Sequence, residues 1–514
     1  MRWLVALGFA AALAGCGGGG SGTPTPASAP APAPPAGPGY IDPTPYSAAP
    51  NASLAVATEQ AAVTSHTITL GGARVAYTAT AGHLTASDPV GGAPQASMFY
   101  IAYTADGAAP ASRPIVYFYN GGPGSASVWL HLGSFGPRRI VTDDPSTSVP
   151  APYQLVDNAE SLLDTADLVF VDAVGTGYSE AIAPATNQSH WSVDGDARVM
   201  RDFIARYAAV NQRGASPTFL YGESYGTTRS AVLANLMVTA GMRLDGVVLH
   251  SSVLDYNANC GLFDAPTVSC AGYLPSYGMT GAWFGLVAPP PGDSAAWAQQ
   301  LRDYADTQYA PAVAAFLGAA TMPPGTLIDG LVQRTGAPRT LWTSRFNLDP
   351  TSYRSQTLPG QLMGRYDARI AVPASSPLAA GGDPSSSVIG APFAAAQRAH
   401  LQGELLYSSA STYTMLSNAI ASWGFAHDGR ALPDTIPDLA TALAQQPSLR
   451  VLSLNGYHDL ATPFRQTELD LARLGGSGTG IQIKVYPGGH MTYLDDGSRP
   501  AMKADLVRFI TGAP

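Results

Sequence analysis

Thr218-Phe219-Leu220-Tyr221-Gly222-Glu223-Ser224-Tyr225-Gly226 is a short apolar run that ends on a serine flanked by glycines. A helical stretch, Thr228 to Val238, follows at once. Strand, sharp turn and helix in this order are the setting of a nucleophile elbow, which holds a serine hydroxyl up at the carboxyl edge of a sheet. The flanking glycines avoid clashes with neighbouring strands, and the helix presents its positive end to developing negative charge. Ser224 is therefore the expected nucleophile; a structural turn serine is the plain alternative.

Working outward, similar runs recur at Ile115–Tyr119, Leu168–Val171, Val247–His250, Val451–Leu454 and Ile481–Val485. Short strands that are apolar on both faces suit the centre of a covered parallel sheet. The stretch Ala197 to Ala208 lies between two of them and places Val199, Phe203, Ile204 and Tyr207 on one helical face. Alternating strands and helices predict an α/β fold with a mostly parallel central sheet. Before them, His66–Leu70 and Ala73–Thr78 flank Gly71-Gly72 as a hairpin, and Ser97–Tyr103 adds a further strand. The alternation breaks near Asp255, so a mainly helical insertion is expected over residues 255–440. The core then occupies 51–254 and 441–514.

A serine nucleophile needs a base, and the base needs an orienting carboxylate. In this architecture the acid and then the histidine follow the serine in the chain. Asp459 and His490 stand just past the runs ending at Leu454 and Val485, on the same sheet edge as Ser224. His458 competes as base but precedes the acid and is next to it. His131, His190 and His250 read as structural. Asn120-Gly121-Gly122-Pro123-Gly124 leaves the run Ile115–Tyr119, so the N–H of Gly122, with that of Tyr225, is the expected oxyanion hole.

The chain has 514 residues, 46% apolar and 12% charged, which is ample for a large core. Its net charge is −9, from 27 basic and 36 acidic residues, with no basic stripe for nucleic acid. No cysteine or histidine spacing suggests a metal site, and the triad chemistry needs no cofactor. Met1 to Cys16 has a positive start and an apolar run too short to span a bilayer. Leu13-Ala14-Gly15-Cys16 resembles a bacterial lipobox, which implies cleavage before Cys16 and lipid on its sulfur. The expected location is a membrane-anchored exported protein on a periplasmic or outer-membrane face, touching the membrane only through the lipid. Residues 17–50, rich in Gly, Pro and Ala, read as a tether. Export permits disulfides. Cys260 and Cys270, ten positions apart in a loop with glycine and proline, are expected to close a small ring, with two free thiols as the alternative.

Several of these motifs together resemble the serine carboxypeptidases. Asn120-Gly-Gly-Pro-Gly-Ser-Ala-Ser127, Phe170-Val-Asp-Ala-Val-Gly-Thr-Gly-Tyr-Ser179 and Gly222-Glu-Ser-Tyr-Gly226 are similar to three of that family's signatures, and Asp459 and His490 match the rest of its triad. The resemblance implies an α/β-hydrolase core with a cap inserted after the strand at Val247–Ser251, and release of single residues from peptide C-termini. It also implies that Asn120 and Glu223 hold the substrate's terminal carboxylate. Two carboxylates so close cannot both ionise cheaply, so such binding calls for a shared proton. The pattern departs at Ser134, where the family often has a glutamate to partner Glu223, and at Ser125, Thr227 and Thr492-Tyr493, which suggests a divergent bacterial branch. The expected function is a serine-type carboxypeptidase acting on peptides. An esterase or acyltransferase with the same triad is the alternative, and a non-catalytic surface-binding lipoprotein is a further one.

Overall fold

The computed structural model describes residues 39–142, 144–145, 154–263, 267–288, 292–475 and 480–513. Cys16, the leader and most of the expected tether lie outside the described residues. The main sheet has ten strands. Its path runs Ile481–Tyr486, Arg450–Gly456, Gly246–His250, Thr218–Glu223, Ile115–Tyr119, Asp167–Val171, Pro94–Ala105, Ala73–Ser87 and Ala61–Leu70, with Glu180–Ala181 pairing beside Pro94–Ala105. From Ile481–Tyr486 to Asp167–Val171 every neighbouring pair is parallel. The strands before Ile115 are antiparallel, and Gly71 and Gly72, at φ 53° and 81°, make the tight turn of their first hairpin.

The unbroken apolar runs follow from burial on both faces. In Thr218–Glu223, Leu220 packs with the helices Val193–Val210, Tyr225–Thr239 and Ile436–Gln445. Its neighbours Phe219 and Tyr221 face the opposite layer, with Val128–Gly133, Pro384–Gly403 and Arg499–Thr511. Val247 and Leu249 against Val248, and Val451 against Leu452 and Leu454, divide in the same way. Side chains alternate along a strand, so a sheet covered on both sides needs every position apolar.

The region after Gly246–His250 is mainly helical, but it is not one body. Residues between Cys260 and Ala371 build an apolar cluster of their own around Tyr273, Tyr277, Tyr309, Trp342 and Tyr353. The helices Pro384–Gly403 and Ile436–Gln445 instead cover the two faces of the main sheet. The folded body also starts earlier than residue 51. Tyr40–Asp42 pairs in parallel with Tyr407–Ser409, and the buried Asp42 accepts hydrogen bonds from Tyr46 and Tyr407. The proline- and alanine-rich composition around these residues hid an anchor that depends on partners far away in the chain. Cys260 and Cys270 are joined, with their Cα atoms 5.3 Å apart.

Candidate active site

The sheet brings the singled-out residues to one edge. Gly222 is in register with Tyr119, Glu223 with His250, and Gly456 with Tyr486, so the loops that follow these strands emerge side by side. Ser224 sits between strand and helix at φ 59°, ψ −128°, a conformation costly for a residue with a side chain. Its N–H donates to the carbonyl of His250 at 3.0 Å. The tightness of the turn explains both glycines. A Cβ on Gly222 would lie 2.2 Å from the carbonyl oxygen of Gly226, and one on Gly226 would lie 2.9 Å from that of Tyr119.

Asp459 is fully buried. Its Oδ1 accepts the N–H groups of Ala461 and Thr462 at 2.7 and 3.0 Å, and its Oδ2 accepts the Thr462 hydroxyl at 2.7 Å. Nδ1 of His490 lies 2.8 Å from the same Oδ2, which leaves Nε2 as the nitrogen able to take a proton from a substrate cavity. Burial alone lowers the pKa of His490, but the adjacent Asp459 carboxylate, helped by Glu223, outweighs it and holds the imidazole above the usual histidine value. His458, the competitor, is buried against Trp283, its pKa driven down by burial and by Arg369, and it takes no part in this pair. His131 and His250 bond to Tyr103 and Tyr221 inside the core.

Ser224, Glu223 and His490 line one cavity together with Asn120, Gly121 and Gly122. Gly121 lies so close to the elbow that a Cβ there would be 2.4 Å from the N of Tyr225. Gly122 has φ 106°. Tyr225 opens its helix, where a backbone N–H has no intrahelical acceptor, so the helix end and the Gly122 loop flank the serine as oxyanion donors would. Arg229, fully buried, ties these parts together. It donates to the carbonyl of Asn120 at 2.9 Å and to Asp196 at 2.6 Å.

The Asn120 amide is locked between two partners. Its Oδ1 accepts from the N–H of Leu130, and its Nδ2 donates to Oε1 of Glu223, both at 3.0 Å. Burial pushes the pKa of Glu223 up to about 7, against the pull of His490, Tyr493 and Asn120. The Tyr493 hydroxyl lies beside this carboxylate, but it and Oε2 are both buried without a hydrogen bond of ordinary geometry. Ser134 instead turns its hydroxyl back to the carbonyl of Leu130 at 2.5 Å. Tyr493 thus stands beside Glu223 while Ser134 is engaged within its own helical turn.

Four site residues carried no advance signal of this role. Thr462 braces Asp459. The Tyr366 ring packs at a tilt against His490, with ring centroids 4.8 Å apart. Tyr493 adjoins Glu223, and Arg365 lines a second cavity that also reaches Ser224. Two of them, Arg365 and Tyr366, come from the insertion, where no repeated motif points to the site. Among the described residues no cluster of histidine, cysteine, aspartate or glutamate could hold a metal ion.

The family model for serine carboxypeptidases matches residues 72–260. Serine carboxypeptidase-like 33 of Arabidopsis thaliana is 31% identical over 146 residues, which cover 27% of this chain and 28% of that protein. Serine carboxypeptidase-like 45 of the same plant is 29% identical over 196 residues, covering 36% and 38%. The matched stretches therefore span well under half the length of these relatives. Among solved structures, Kex1(delta)p, a prohormone-processing carboxypeptidase from Saccharomyces cerevisiae, aligns over 85% of this chain and 91% of its own. Its TM-score is 0.52 at 16% identity, a likeness of fold. Over residues 72–260 the chain is similar to the serine carboxypeptidases, and its α/β fold resembles that of Kex1(delta)p. The family match stops before Asp459 and His490, which only the fold brings to Ser224.

Proposed function

We propose that this protein releases C-terminal residues from peptides through an acyl-enzyme on Ser224. The observation that carries the reading is that Asn120 and Glu223 share a cavity with Ser224 and His490. Trp129, Ile389, Leu416 and Met491 give this cavity apolar walls, and the amide–acid pair supplies polar atoms for a terminal carboxylate. A leaving residue fits there with its side chain on the apolar wall. A protonated Glu223 donates to its carboxylate, whereas an ionised one repels it.

In the reaction, Oγ of Ser224 attacks the carbonyl carbon of the last peptide bond and its proton passes to Nε2 of His490. The N–H groups of Gly122 and Tyr225 take the oxyanion. Asp459 fixes the tautomer of His490 and stabilises its charged form. Collapse breaks the C–N bond, and His490 returns the proton to the departing amino group. Water, activated by the same histidine, then releases the shortened peptide. Export and lipid attachment at Cys16 form part of the same reading and would hold the enzyme at a membrane surface. No helix among the described residues is long and apolar enough to cross a membrane.

Hydrolysis of N-blocked dipeptides, with free and with amidated C-termini, tests the reading from about pH 4 to 8. Cleavage that requires the free carboxylate and vanishes in Ser224→Ala supports it. The engagement of Ser134 away from Glu223 favours a second reading, an esterase or acyltransferase with the same triad. Ester cleavage without peptide cleavage at any pH would select that one.

A further inference from the structure

A second cavity, of about 420 Å³, also reaches Ser224 but is not lined by Asn120 or Glu223. Gly122, Ser224 and Tyr366 contribute to both cavities, so they meet at the nucleophile. If the first takes the leaving residue, the second must take the acyl side of the scissile bond. Its walls include Tyr256, Phe263, Ile420 and Phe425, and Phe263 packs edge-on against Phe425 with ring centroids 4.9 Å apart. Beside them stands Arg365, the one cation among the described residues lining this cavity.

Arg365 differs from most arginines of this chain in its pairing. Arg229 holds Asp196, Arg369 holds Asp144, Asp367 and Asp495, and Arg473 holds Asp255 and Asp434. Among the described residues, no carboxylate lies within ion-pair distance of the Arg365 guanidinium, which instead sits 6.0 Å from the Tyr366 ring. Asp383, held close by the chain, bonds through Oδ1 alone, and its buried Oδ2 has no hydrogen-bond partner and lies beyond ion-pair distance of the guanidinium. Oδ1 of Asp383 accepts the backbone N–H of Arg365 at 2.9 Å and that of Ser385 at 3.1 Å. The positive charge of Arg365 reaches the cavity: it acts on Tyr256 in the wall and on His490. A half-buried guanidinium beside aromatic side chains attracts a carboxylate more strongly than one in open water. The aromatic walls offer cover for the methylenes that would carry such a carboxylate.

We propose that Arg365 makes this pocket selective for an acidic residue, glutamate or aspartate, on the acyl side of the bond that is cut. This rests on the carboxypeptidase reading for the side of Ser224 on which each half of the substrate lies. The preference is a matter of specificity: Arg365 positions the acyl half, and Ser224, His490 and Asp459 perform the chemistry.

The test uses N-blocked X-Ala dipeptides with X as Glu, Gln, Leu or Lys, together with the N-blocked methyl esters of the same residues. Wild type, Arg365→Gln and Arg365→Glu are assayed near pH 6, where a substrate glutamate is ionised. The readout is the ratio of kcat/KM within each variant, which cancels any general loss of activity. Wild type should favour Glu over Gln by roughly tenfold or more, with the margin shrinking as salt rises. Arg365→Gln should bring that ratio to about one, and Arg365→Glu should turn the preference to Lys. Equal Glu-to-Gln ratios in wild type and Arg365→Gln would overturn the proposal. If no dipeptide is cleaved but the esters are, the carboxypeptidase reading fails, and the ester ratios still decide whether Arg365 selects an acidic acyl group.

Discussion

Tyr366 holds His490 twice: its carbonyl accepts the His490 backbone N–H at 2.6 Å, and its ring lies 4.8 Å from the imidazole at an interplanar angle of 32°. Gly489 permits the approach, since a Cβ there would sit 2.2 Å from the same carbonyl oxygen. The insertion therefore contributes to the placement of the base as well as to the walls. Tyr366→Phe keeps both contacts and should retain near wild-type activity. Tyr366→Ala keeps the backbone bond but loses the ring, and kcat/KM should fall roughly two- to tenfold. Steady-state kinetics on one peptide compare the two variants; an equal loss in both would point to the hydroxyl instead.

In the proposed carboxypeptidase, Glu223 ties peptide binding to pH. Its pKa is raised to about 7 by burial, so the proton that lets it accept a substrate carboxylate is lost as pH rises through that value. The kcat/KM for peptides with free C-termini should decline above about pH 7, and Glu223→Gln, which cannot ionise, should flatten that limb. On the acid side, activity should fall as His490 gains its proton. A decline of the same steepness in Glu223→Gln would assign the limb to another group.

The same shift affects stability. The folded state holds the Glu223 proton more tightly than the unfolded chain does. Stability should therefore decrease between the unfolded value, about 4.3, and the folded value, about 7. Glu223→Gln lacks this slope, so its advantage over wild type should be larger at pH 8 than at pH 5, by up to about 3 kcal/mol. Denaturant unfolding at the two pH values measures the difference. A gap that does not change with pH would contradict the raised pKa.

Asp459 bonds the His490 imidazole, and the Thr462 hydroxyl bonds Asp459. Asp459→Asn should reduce kcat by roughly 10⁴, as expected when the orienting acid can no longer fix the tautomer. Thr462→Val removes one hydroxyl from the carboxylate and should reduce kcat roughly tenfold with little change in KM. A rise in KM at constant kcat would place Thr462 in binding.

The reading of the sequence reached the sheet and one edge of it, for a physical reason. Strands such as Thr218–Glu223 are buried on both faces, and burial of that kind leaves a continuous apolar run in the chain. Ser224 and Asp459 follow such runs, and His490 follows the half-exposed edge strand Ile481–Tyr486, so their common edge could be inferred from spacing. Arg365 and Tyr366 follow no strand of the main sheet. Their positions depend on contacts such as Leu460 N–H to the Arg365 carbonyl and Tyr366 N–H to Ser385, which leave no local pattern. Tyr40–Asp42 escaped for the same reason: its strand partner, Tyr407–Ser409, lies hundreds of residues away.

The elbow offers a test of the backbone itself. A Cβ at Gly222 meets a carbonyl oxygen and the Ser230 hydroxyl at 2.2 and 2.4 Å, inside a turn that already holds Ser224 at φ 59°. Gly222→Ala should cost upwards of about 3 kcal/mol and lower the yield of folded protein, which thermal unfolding would register. Unchanged stability would mean that the turn relaxes more easily than its packing implies.

In the proposed mechanism, Ser224 removes residues one at a time from a free C-terminus. Time-resolved mass spectrometry of a decapeptide, incubated as the free acid and as the C-terminal amide, tests it most directly. The account predicts a ladder of single C-terminal losses from the free acid, none from the amide, and none from either with Ser224→Ala. Internal cleavage, equal shortening of the amide, or intact peptides beside Ser224-dependent ester hydrolysis would contradict it.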